Sequence, residues 1–289
     1  MATPAYATHA ISAQQNNGPC EINKPTDLAE GDLMLAHLFA RSLTGPVTGM
    51  VIDPPDGWAV LTETFATPGN GELGGVYAKV ADAADAAASS FSFGVSGAVS
   101  WESRGAIVRI TGDGFDVSLI QAHSSGDGIG DTTFEDTGLT PNIAGGLYLI
   151  LLGMDAASGR SVSSYAFATD NPTWNEIYDS AEGSGADLAA AWGTRTSASA
   201  TGNVTATASD TVDNEVTAVV FIPAITLVAA PALTVTASLH DPVVPTVVVD
   251  NPLSLTLTPT DPTVTTPGLP WSSPSKSPAP AWSNPDKTL

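Results

Sequence analysis

The residue types that most often carry catalysis are sparse in this 289-residue chain. The four histidines, His9, His37, His123 and His240, stand at no metal-ligand spacing from one another and beside no nucleophile in a recognised turn. The single cysteine, Cys20, lies in a Gly-Pro-Cys-Glu turn that carries no signal of thiol activation, and it excludes an intrachain disulfide. We therefore predict no catalytic residue, no cofactor and no metal ligand, and hence a protein that is not an enzyme.

Carboxylates are abundant but form no recognisable motif. A pair of them could cleave a glycosidic bond, yet the glutamates that would have to form such a pair are scattered across predicted strand ends: Glu63, Glu72, Glu102, Glu176 and Glu182. The loop Asp127-Gly-Ile-Gly-Asp131, with Glu135 and Asp136 after it, offers oxygen ligands for Ca²⁺ but lacks the spacing of a helix-loop-helix calcium site. Both patterns favour solvated surface charge.

Two tryptophans follow rigid turns. Trp58 comes after Asp53-Pro-Pro-Asp-Gly, and Trp174 comes after Asp170-Asn-Pro-Thr. An aromatic ring held in this way presents a flat apolar face beside polar groups, which is the surface that a sugar ring can stack on. Trp58 and Trp174 are therefore the candidate glycan contacts of this chain.

The composition indicates which elements must position these residues. Only 13% of the residues are charged and 43% are hydrophobic, and Thr, Ser, Ala and Gly supply most of the rest. This is typical of a protein rich in β-strands. Nine basic residues stand against 30 acidic ones, a formal net charge of -21. Because a phosphate backbone or an anionic lipid surface would repel such a chain, we predict that neither nucleic acid nor a membrane is a partner.

An internal repeat divides the chain. Gly31-Asp-Leu-Met-Leu and Gly145-Gly-Leu-Tyr-Leu both predict a strand that is entered from a glycine turn, and Trp58 and Trp174 occupy corresponding turns. We predict a first β-sandwich unit at residues 1–113 and a second, diverged unit at 114–224. Recurrence of the tryptophan in both units favours a packing role that closes each sandwich, so packing and glycan contact both remain open for it.

The segments within each unit predict an all-β fold. They are short, β-branched or aromatic, and separated by Gly, Pro, Asn and Asp, which is typical of a jelly-roll-like or immunoglobulin-like sandwich of six or seven strands. Ser90–Ser96 alternates, which predicts that Phe91, Phe93 and Val95 share one face. Leu147–Leu152 is continuously apolar, which predicts a strand that is buried on both faces or lies at an interface between the units.

The chain changes character after Pro223. Residues 225–266 contain two copies of an alternating strand with an Asp-Pro turn, 20 residues apart, and residues 267–289 form a Pro-rich tail. Since an isolated hairpin is marginal in water, we expect these extended segments, the C-terminal arm, to bury their apolar faces against another subunit or the body of the protein. The candidate assembly and docking residues are its apolar positions and its tryptophans: Leu233, Val235, Leu253, Leu255, Leu257, Trp271 and Trp282.

Several motifs together resemble a β-sandwich unit of structural proteins of tailed bacteriophages. They are Gly31-Asp-Leu-Met-Leu, Pro-Pro-Asp-Gly-Trp58, Val76-Tyr-Ala-Lys-Val-Ala, and Ser90-Phe-Ser-Phe with Gly105-Ala-Ile-Val-Arg-Ile-Thr-Gly. The strand and Asp-Pro repeats likewise resemble extended segments of virion proteins. The second unit departs from the pattern, since Thr173-Trp replaces Gly-Trp and Trp192-Gly-Thr-Arg replaces Tyr-Ala-Lys-Val. The resemblance implies a capsid decoration, head-fibre or tail-associated protein and carries over no catalytic residue.

We accordingly expect a non-enzymatic component of a phage particle that attaches or oligomerises through its C-terminal arm. Its partners would be other virion proteins or further copies of itself, and a trimer would suit a fibre-like arm. The N-terminal residues lack the basic and apolar regions of a secretory signal. We therefore expect synthesis in the host cytoplasm without a signal peptide and final location in the virion. The alternative is an adhesin that binds host-surface carbohydrate through Trp58 and Trp174.

Overall fold

A computed structural model describes residues 3–45, 49–66, 71–127, 131–156, 160–180, 185–212 and 214–224. All of these residues belong to one compact unit, Met1–Ala230. The predicted C-terminal arm and Pro-rich tail, residues 225–289, lie outside the described residues.

The first half of the described chain consists of nine strands and one short helix. The strands are β1 (Ala5–Ile11), β2 (Gln15–Asn16), β3 (Cys20–Asn23), β4 (Leu33–Ser42), β5 (Val51–Asp53), β6 (Ala59–Phe65), β7 (Glu72–Val80), β8 (Ser90–Ser96) and β9 (Trp101–Thr111), and the helix is α1 (Ala83–Ala87). No helix in the ranges that the structure describes is long and apolar enough to cross a membrane.

The second half follows a 3₁₀ turn at Val117–Leu119. Its strands are β10 (Gln121–Asp127), β11 (Asp131–Asp136), β12 (Gly146–Ala156), β13 (Val162–Phe167), β14 (Asn175–Asp179), β15 (Gly185–Arg195), β16 (Val204–Val212) and β17 (Asn214–Pro223). The all-β prediction is confirmed.

Each half forms two antiparallel sheets, and the strand order is the same in both halves. The larger sheets have the orders β1-β9-β4-β7-β6, with β2 added beside β9, and β10-β17-β12-β15-β14. The smaller sheets have the orders β3-β8-β5 and β11-β16-β13. Strand for strand, β1 therefore corresponds to β10, β4 to β12, β8 to β16 and β9 to β17.

Three hydrophobic clusters separate these sheets into four layers. The first outer cluster lies between β3-β8-β5 and the larger sheet of the first half, the central cluster lies between the two larger sheets, and the second outer cluster lies between the larger sheet of the second half and β11-β16-β13. The two larger sheets are therefore covered on both faces, which removes far more apolar surface from water than a half-exposed sheet can.

The central strands show this double coverage directly. Along β12, alternate side chains enter the central cluster (Leu147, Leu149, Leu151) and the second outer cluster (Tyr148, Ile150, Leu152), and all six are fully buried. The continuously apolar run predicted a strand buried on both faces, and that prediction is confirmed. The outer strand β8 behaves oppositely: Phe91, Phe93 and Val95 are buried while Ser92 and Ser96 are exposed, as its alternation predicted.

Glycines let the two larger sheets approach each other closely. A Cβ atom on Gly153 of β12 would lie 2.6 Å from Cδ2 of Phe39 on β4, and one on Gly74 of β7 would lie 2.6 Å from Cγ1 of Val216 on β17. These distances leave no room for a side chain. A glycine inside a strand pattern often marks such a close approach, so the sequence itself carries a signal for this contact.

A buried ion pair joins the two halves. Arg104 of β9 donates from Nη1 to Oδ1 of Asp187 on β15 at 2.8 Å, and the two side chains are only 3% and 5% exposed. The same guanidinium donates to the carbonyl oxygen of Ser180 at 3.0 Å and to that of Ser12 at 3.2 Å. The charge of Arg104 is thus compensated in a region from which water is excluded.

Candidate functional site

A cleft of about 460 Å³ opens on one side of the second half. It lies where the chain leaves β13, the last strand of the outer sheet, and enters β14, the last strand of the larger sheet. Both strands carry a register shift, between Ser163 and Ala166 in β13 and between Glu176 and Tyr178 in β14. The cleft is lined by Val162, Ser163, Ser164, Tyr165, Asn171, Pro172, Trp174 and Glu176.

Trp174 forms one wall of this cleft and is held in a defined orientation. Its indole Nε1 donates to Oδ1 of Asn171 at 2.8 Å, and the same oxygen accepts from the backbone N–H of Phe167 at 2.8 Å. The indole meets the Phe167 ring edge to face, with centroids 4.8 Å apart and planes at 88°. Trp174 remains partly exposed, so a fixed aromatic surface borders the cleft.

Tyr165 brings a polar group that lacks a protein partner. Its hydroxyl oxygen is buried and has no hydrogen-bond partner among the residues that the structure describes. Burial, followed by the charges of Asp179 and Glu176, raises the pKa of Tyr165, so the hydroxyl keeps its proton. The neighbouring Ser164 has φ +56°, a left-handed conformation that a non-glycine residue rarely adopts.

Trp58, at the corresponding turn of the first half, has a different environment. Its side chain is buried, with a relative exposure of 8%, and belongs to the first outer cluster. The indole packs edge to face on Phe91 and Phe93 of β8, with centroids 5.8 Å and 5.2 Å apart. A ring enclosed in this way is a packing residue. The two predicted glycan contacts also lie in separate clusters, so the structure does not bring them together.

The difference between the two tryptophans follows from the strand beneath each of them. In the first half, β8 supplies two phenylalanines to the ring of Trp58. In the second half, the corresponding buried positions of β16 hold the small side chains of Val204, Ala206 and Ala208. The ring partner of Trp174 comes instead from β13, as Phe167. Trp174 consequently sits at the side of its sandwich.

Two histidines in the described chain serve packing. His37 is buried between the two halves with its Nδ1 3.0 Å from the hydroxyl oxygen of Tyr178, and burial lowers the pKa of His37 to about 3. His9 lies with its Nδ1 2.9 Å from the hydroxyl oxygen of Tyr6, and burial lowers its pKa as well. Both imidazoles are therefore neutral at neutral pH. His240 lies outside the described residues.

The contacts of His123 and the burial of Cys20 also indicate structural roles. The Nδ1 of His123 lies 2.9 Å from Oδ2 of Asp136, whose carboxylate also accepts from the hydroxyl of Ser125 at 3.1 Å and from the backbone N–H of Gly138 at 2.5 Å. Burial raises the pKa of Cys20 to about 11, which keeps the thiol protonated. Among the described residues, no group of three or more His, Cys, Asp or Glu side chains is arranged as a metal site.

The structure brings together two of the five glutamates that could have formed a hydrolytic pair, on either side of Arg41. Of the four that the structure describes, only Glu176 lines the cleft. Glu63 accepts a hydrogen bond from the hydroxyl of Tyr77 at 2.5 Å. Glu72 and Glu102 are the cross-strand neighbours of Arg41 in β4, and Glu182 lies outside the described residues.

The seven predicted docking residues of the arm, Leu233, Val235, Leu253, Leu255, Leu257, Trp271 and Trp282, all lie outside the described residues. Their role stays a prediction from the sequence pattern.

A charged cluster lies at one end of the contact between the two halves. Arg41 is hydrogen-bonded to Asp155 of β12 and donates to Glu102 at 2.7 Å. Glu72 beside it is buried, and its Oε2 has no hydrogen-bond partner within the described part of the chain. Burial, reinforced by the charge of Asp155 and opposed by Arg41, raises the pKa of Glu72 to about 7.

This raised pKa predicts a pH-dependent gain in stability for Glu72→Gln. Because the folded carboxyl holds its proton up to about pH 7 while the unfolded one releases it near 4.5, the native protein loses stability as the pH rises through that interval. We expect Glu72→Gln to raise the free energy of unfolding by about 2 kcal/mol near pH 9 and to leave it unchanged near pH 4. Urea unfolding at a series of pH values measures the difference.

The matched control for this experiment is Glu30→Gln, because Glu30 is exposed. That variant is expected to differ from the native protein by less than about 0.5 kcal/mol at every pH. A Glu72→Gln difference that does not change with pH would contradict the raised pKa.

Known proteins provide no template for this site. No protein-family model, no curated protein and no solved structure matches the chain. The two halves of the chain can be compared with each other, because they share one strand order. At corresponding turns, Trp58 has a closed environment and Trp174 lines an open cleft.

Proposed function

We propose that this protein is a non-enzymatic structural component of a phage particle, of the decoration, fibre or tail-associated kind. The compact unit faces outward from the particle. The C-terminal arm together with its Pro-rich tail, residues 225–289, attaches the protein by pairing with other copies of the chain. The proposal draws on the motif resemblance, on the alternating arm sequence and on the charge distribution along the chain.

The alternating sequence of the arm carries the proposal. Among the described residues, the three clusters cover both faces of both larger sheets. The alternating leucines of the arm gain stability when they too are removed from water, and a neighbouring subunit offers such a surface.

The charge distribution supports contact through the arm. Residues 1–224 contain 26 of the 30 acidic and seven of the nine basic residues, whereas residues 225–289 contain four acidic and two basic ones. At least six basic side chains of the compact unit already donate to a carboxylate or a backbone carbonyl: Lys24, Arg41, Lys79, Arg104, Arg109 and Arg195. Compact units therefore repel one another, while arms of nearly balanced charge do not.

Strand addition is the association mode that suits this arm. In strand addition the main chain supplies hydrogen bonds to the free edge of a sheet, and alternate side chains fill apolar sites. Leu253, Leu255 and Leu257 alternate with Ser254 and Thr256, so a paired strand would place the leucines on the buried face and the hydroxyls in solvent.

This alternation predicts opposite outcomes for two sets of substitutions in the full chain. Leu253→Asp, Leu255→Asp and Leu257→Asp combined would force three carboxylates into the buried face, so we expect the oligomer to dissociate into monomers. Ser254→Asp and Thr256→Asp combined add charge to the solvated face, so the oligomer should persist. Light scattering coupled to size-exclusion chromatography, over about a hundredfold range of concentration, measures the mass of each.

Two results would contradict the proposal. A native chain that stays monomeric at the highest concentration would show that the arm does not associate with other copies. Equal dissociation by both sets of substitutions would show that added charge, and not loss of the apolar face, is responsible. Circular dichroism of each variant verifies that the compact unit remains folded.

A further inference from the structure

We propose that the cleft between β13 and β14 is a binding site for a neutral saccharide. The sugar ring would stack on Trp174, and its hydroxyls would bond to Ser163 and Glu176. This inference is independent of the proposed assembly role, because it uses residues of the compact unit alone.

The aromatic wall of the cleft provides the first argument. Saccharide rings present a face of C–H groups that packs on an aromatic surface, while their hydroxyls need polar partners around it. Trp174 meets this need because Asn171 fixes the indole from the side, through Nε1, and the ring remains partly exposed in the cleft. A ring that is already oriented loses little conformational freedom when it binds a ligand.

The polar groups of the cleft provide the second argument. Ser163 and Glu176, both exposed, line the cleft: the serine hydroxyl can donate or accept a hydrogen bond, and the carboxylate can accept hydrogen bonds from sugar hydroxyls. The cleft therefore offers a donor and acceptors beside an aromatic surface.

The backbone of β13 argues for a saccharide and against an added peptide strand. Ser164 has φ +56°, and the register of β13 against β16 shifts between Ser163 and Ala166. A strand with such an irregularity does not present an even row of N–H and C=O groups, so it is a poor template for strand pairing. Irregular backbone of this kind does re-aim side chains, and it often lies beside binding sites.

The charge around the cleft selects a neutral ligand. Glu176 lines it, and the charges of Asp179 and Glu176 both act on Tyr165. The whole chain carries a formal net charge of -21. A sialylated or sulfated glycan would be repelled by these carboxylates, whereas an uncharged hexose or a neutral oligosaccharide would not.

The experiment begins with the full chain on a glycan array that contains neutral and sialylated forms of the same oligosaccharides. We expect binding to neutral glycans and weaker binding to their sialylated forms. The dissociation constant of a neutral glycan that binds is then measured by titration calorimetry for the native chain and its variants. Absence of binding to every neutral glycan, at free saccharide concentrations up to about 10 mM in solution, would overturn the proposal.

Three variants localise the binding. Trp174→Ala should weaken it about tenfold through loss of the stacking surface. Glu176→Gln should weaken it about threefold to tenfold, because a neutral amide oxygen replaces the charged acceptor of the sugar hydroxyls. Val60→Ala is the matched control, since Val60 is exposed on β6, the strand of the first half that corresponds to β14, and its binding should be native.

The remaining outcomes are also decisive. Unchanged binding by both Trp174→Ala and Glu176→Gln, or preference for sialylated glycans, would overturn the proposal. Competition for the cleft by a peptide of residues 249–262 would identify it as a peptide groove instead. Because the leucine variants of the arm should bind saccharide normally, failure of this inference is distinguishable from failure of the assembly role.

Discussion

Trp58→Ala is expected to lower the free energy of unfolding by about 3 to 5 kcal/mol, the range for removing a large aromatic side chain from a core. Trp58 is almost fully buried and packs on Phe91 and Phe93. Its loss leaves a cavity in the first outer cluster, beside Phe91 and Phe93. Urea unfolding followed by far-UV circular dichroism measures the change without depending on tryptophan fluorescence.

Trp174→Ala is the matched comparison. Its partly exposed ring contributes one edge-to-face contact and one hydrogen bond, so we expect a loss of about 1 kcal/mol. Equal losses for the two variants would contradict the distinction between a closed and an open environment. A loss of this size would leave the Trp174→Ala variant folded, so its saccharide binding can be measured on the native fold.

Arg104→Met is expected to lower the free energy of unfolding by about 3 to 5 kcal/mol, the second large effect. The substitution leaves the carboxylate of Asp187 in a region that excludes water, without the guanidinium that compensates its charge. Two backbone carbonyl oxygens, of Ser12 and Ser180, lose a donor as well. Because this ion pair links β9 to β15, the two halves are expected to separate more easily than in the native protein.

A double variant distinguishes the cost of an isolated charge from the value of the pair. Arg104→Met combined with Asp187→Leu removes both charges, so we expect it to recover most of the loss. Arg109→Met is the control, because the Arg109 pair with Asp32 lies within the first half and is more exposed, and we expect a loss of about 1 kcal/mol. A loss below about 1 kcal/mol for Arg104→Met would contradict desolvation of the pair.

The class of fold could be predicted because it depends on local patterns. Alternation in β8 indicated one buried face, and the continuously apolar run in β12 indicated two. Side chains at alternate positions of a strand face opposite sides whatever lies beyond them, so these assignments needed no knowledge of the neighbouring layer. The sequence did not identify the neighbouring layer, because an apolar face does not specify what packs against it.

The candidate site could be predicted only in part. The sequence indicated that Trp174 follows a rigid turn, which placed it among the glycan candidates, but Trp58 has the same local signal. The environments of the two tryptophans differ because different strands supply their aromatic partners. Two phenylalanines of β8 pack on Trp58, whereas one phenylalanine of β13 packs on Trp174. Tyr165 and Asn171 carried no sequence signal for a site, because their roles depend on residues that the fold brings together.

The amino-acid sequence by itself therefore determined the all-β class, the continuous burial of β12 and the negative charge of the compact unit, each of which follows from residue type and period. The tertiary structure decided which larger-sheet faces meet, which arginine is buried between them and which tryptophan lines a cleft. Those outcomes depend on contacts between residues that are distant in the sequence. Arg104 and Asp187, for example, are 83 positions apart, and no local sequence pattern indicates that they meet.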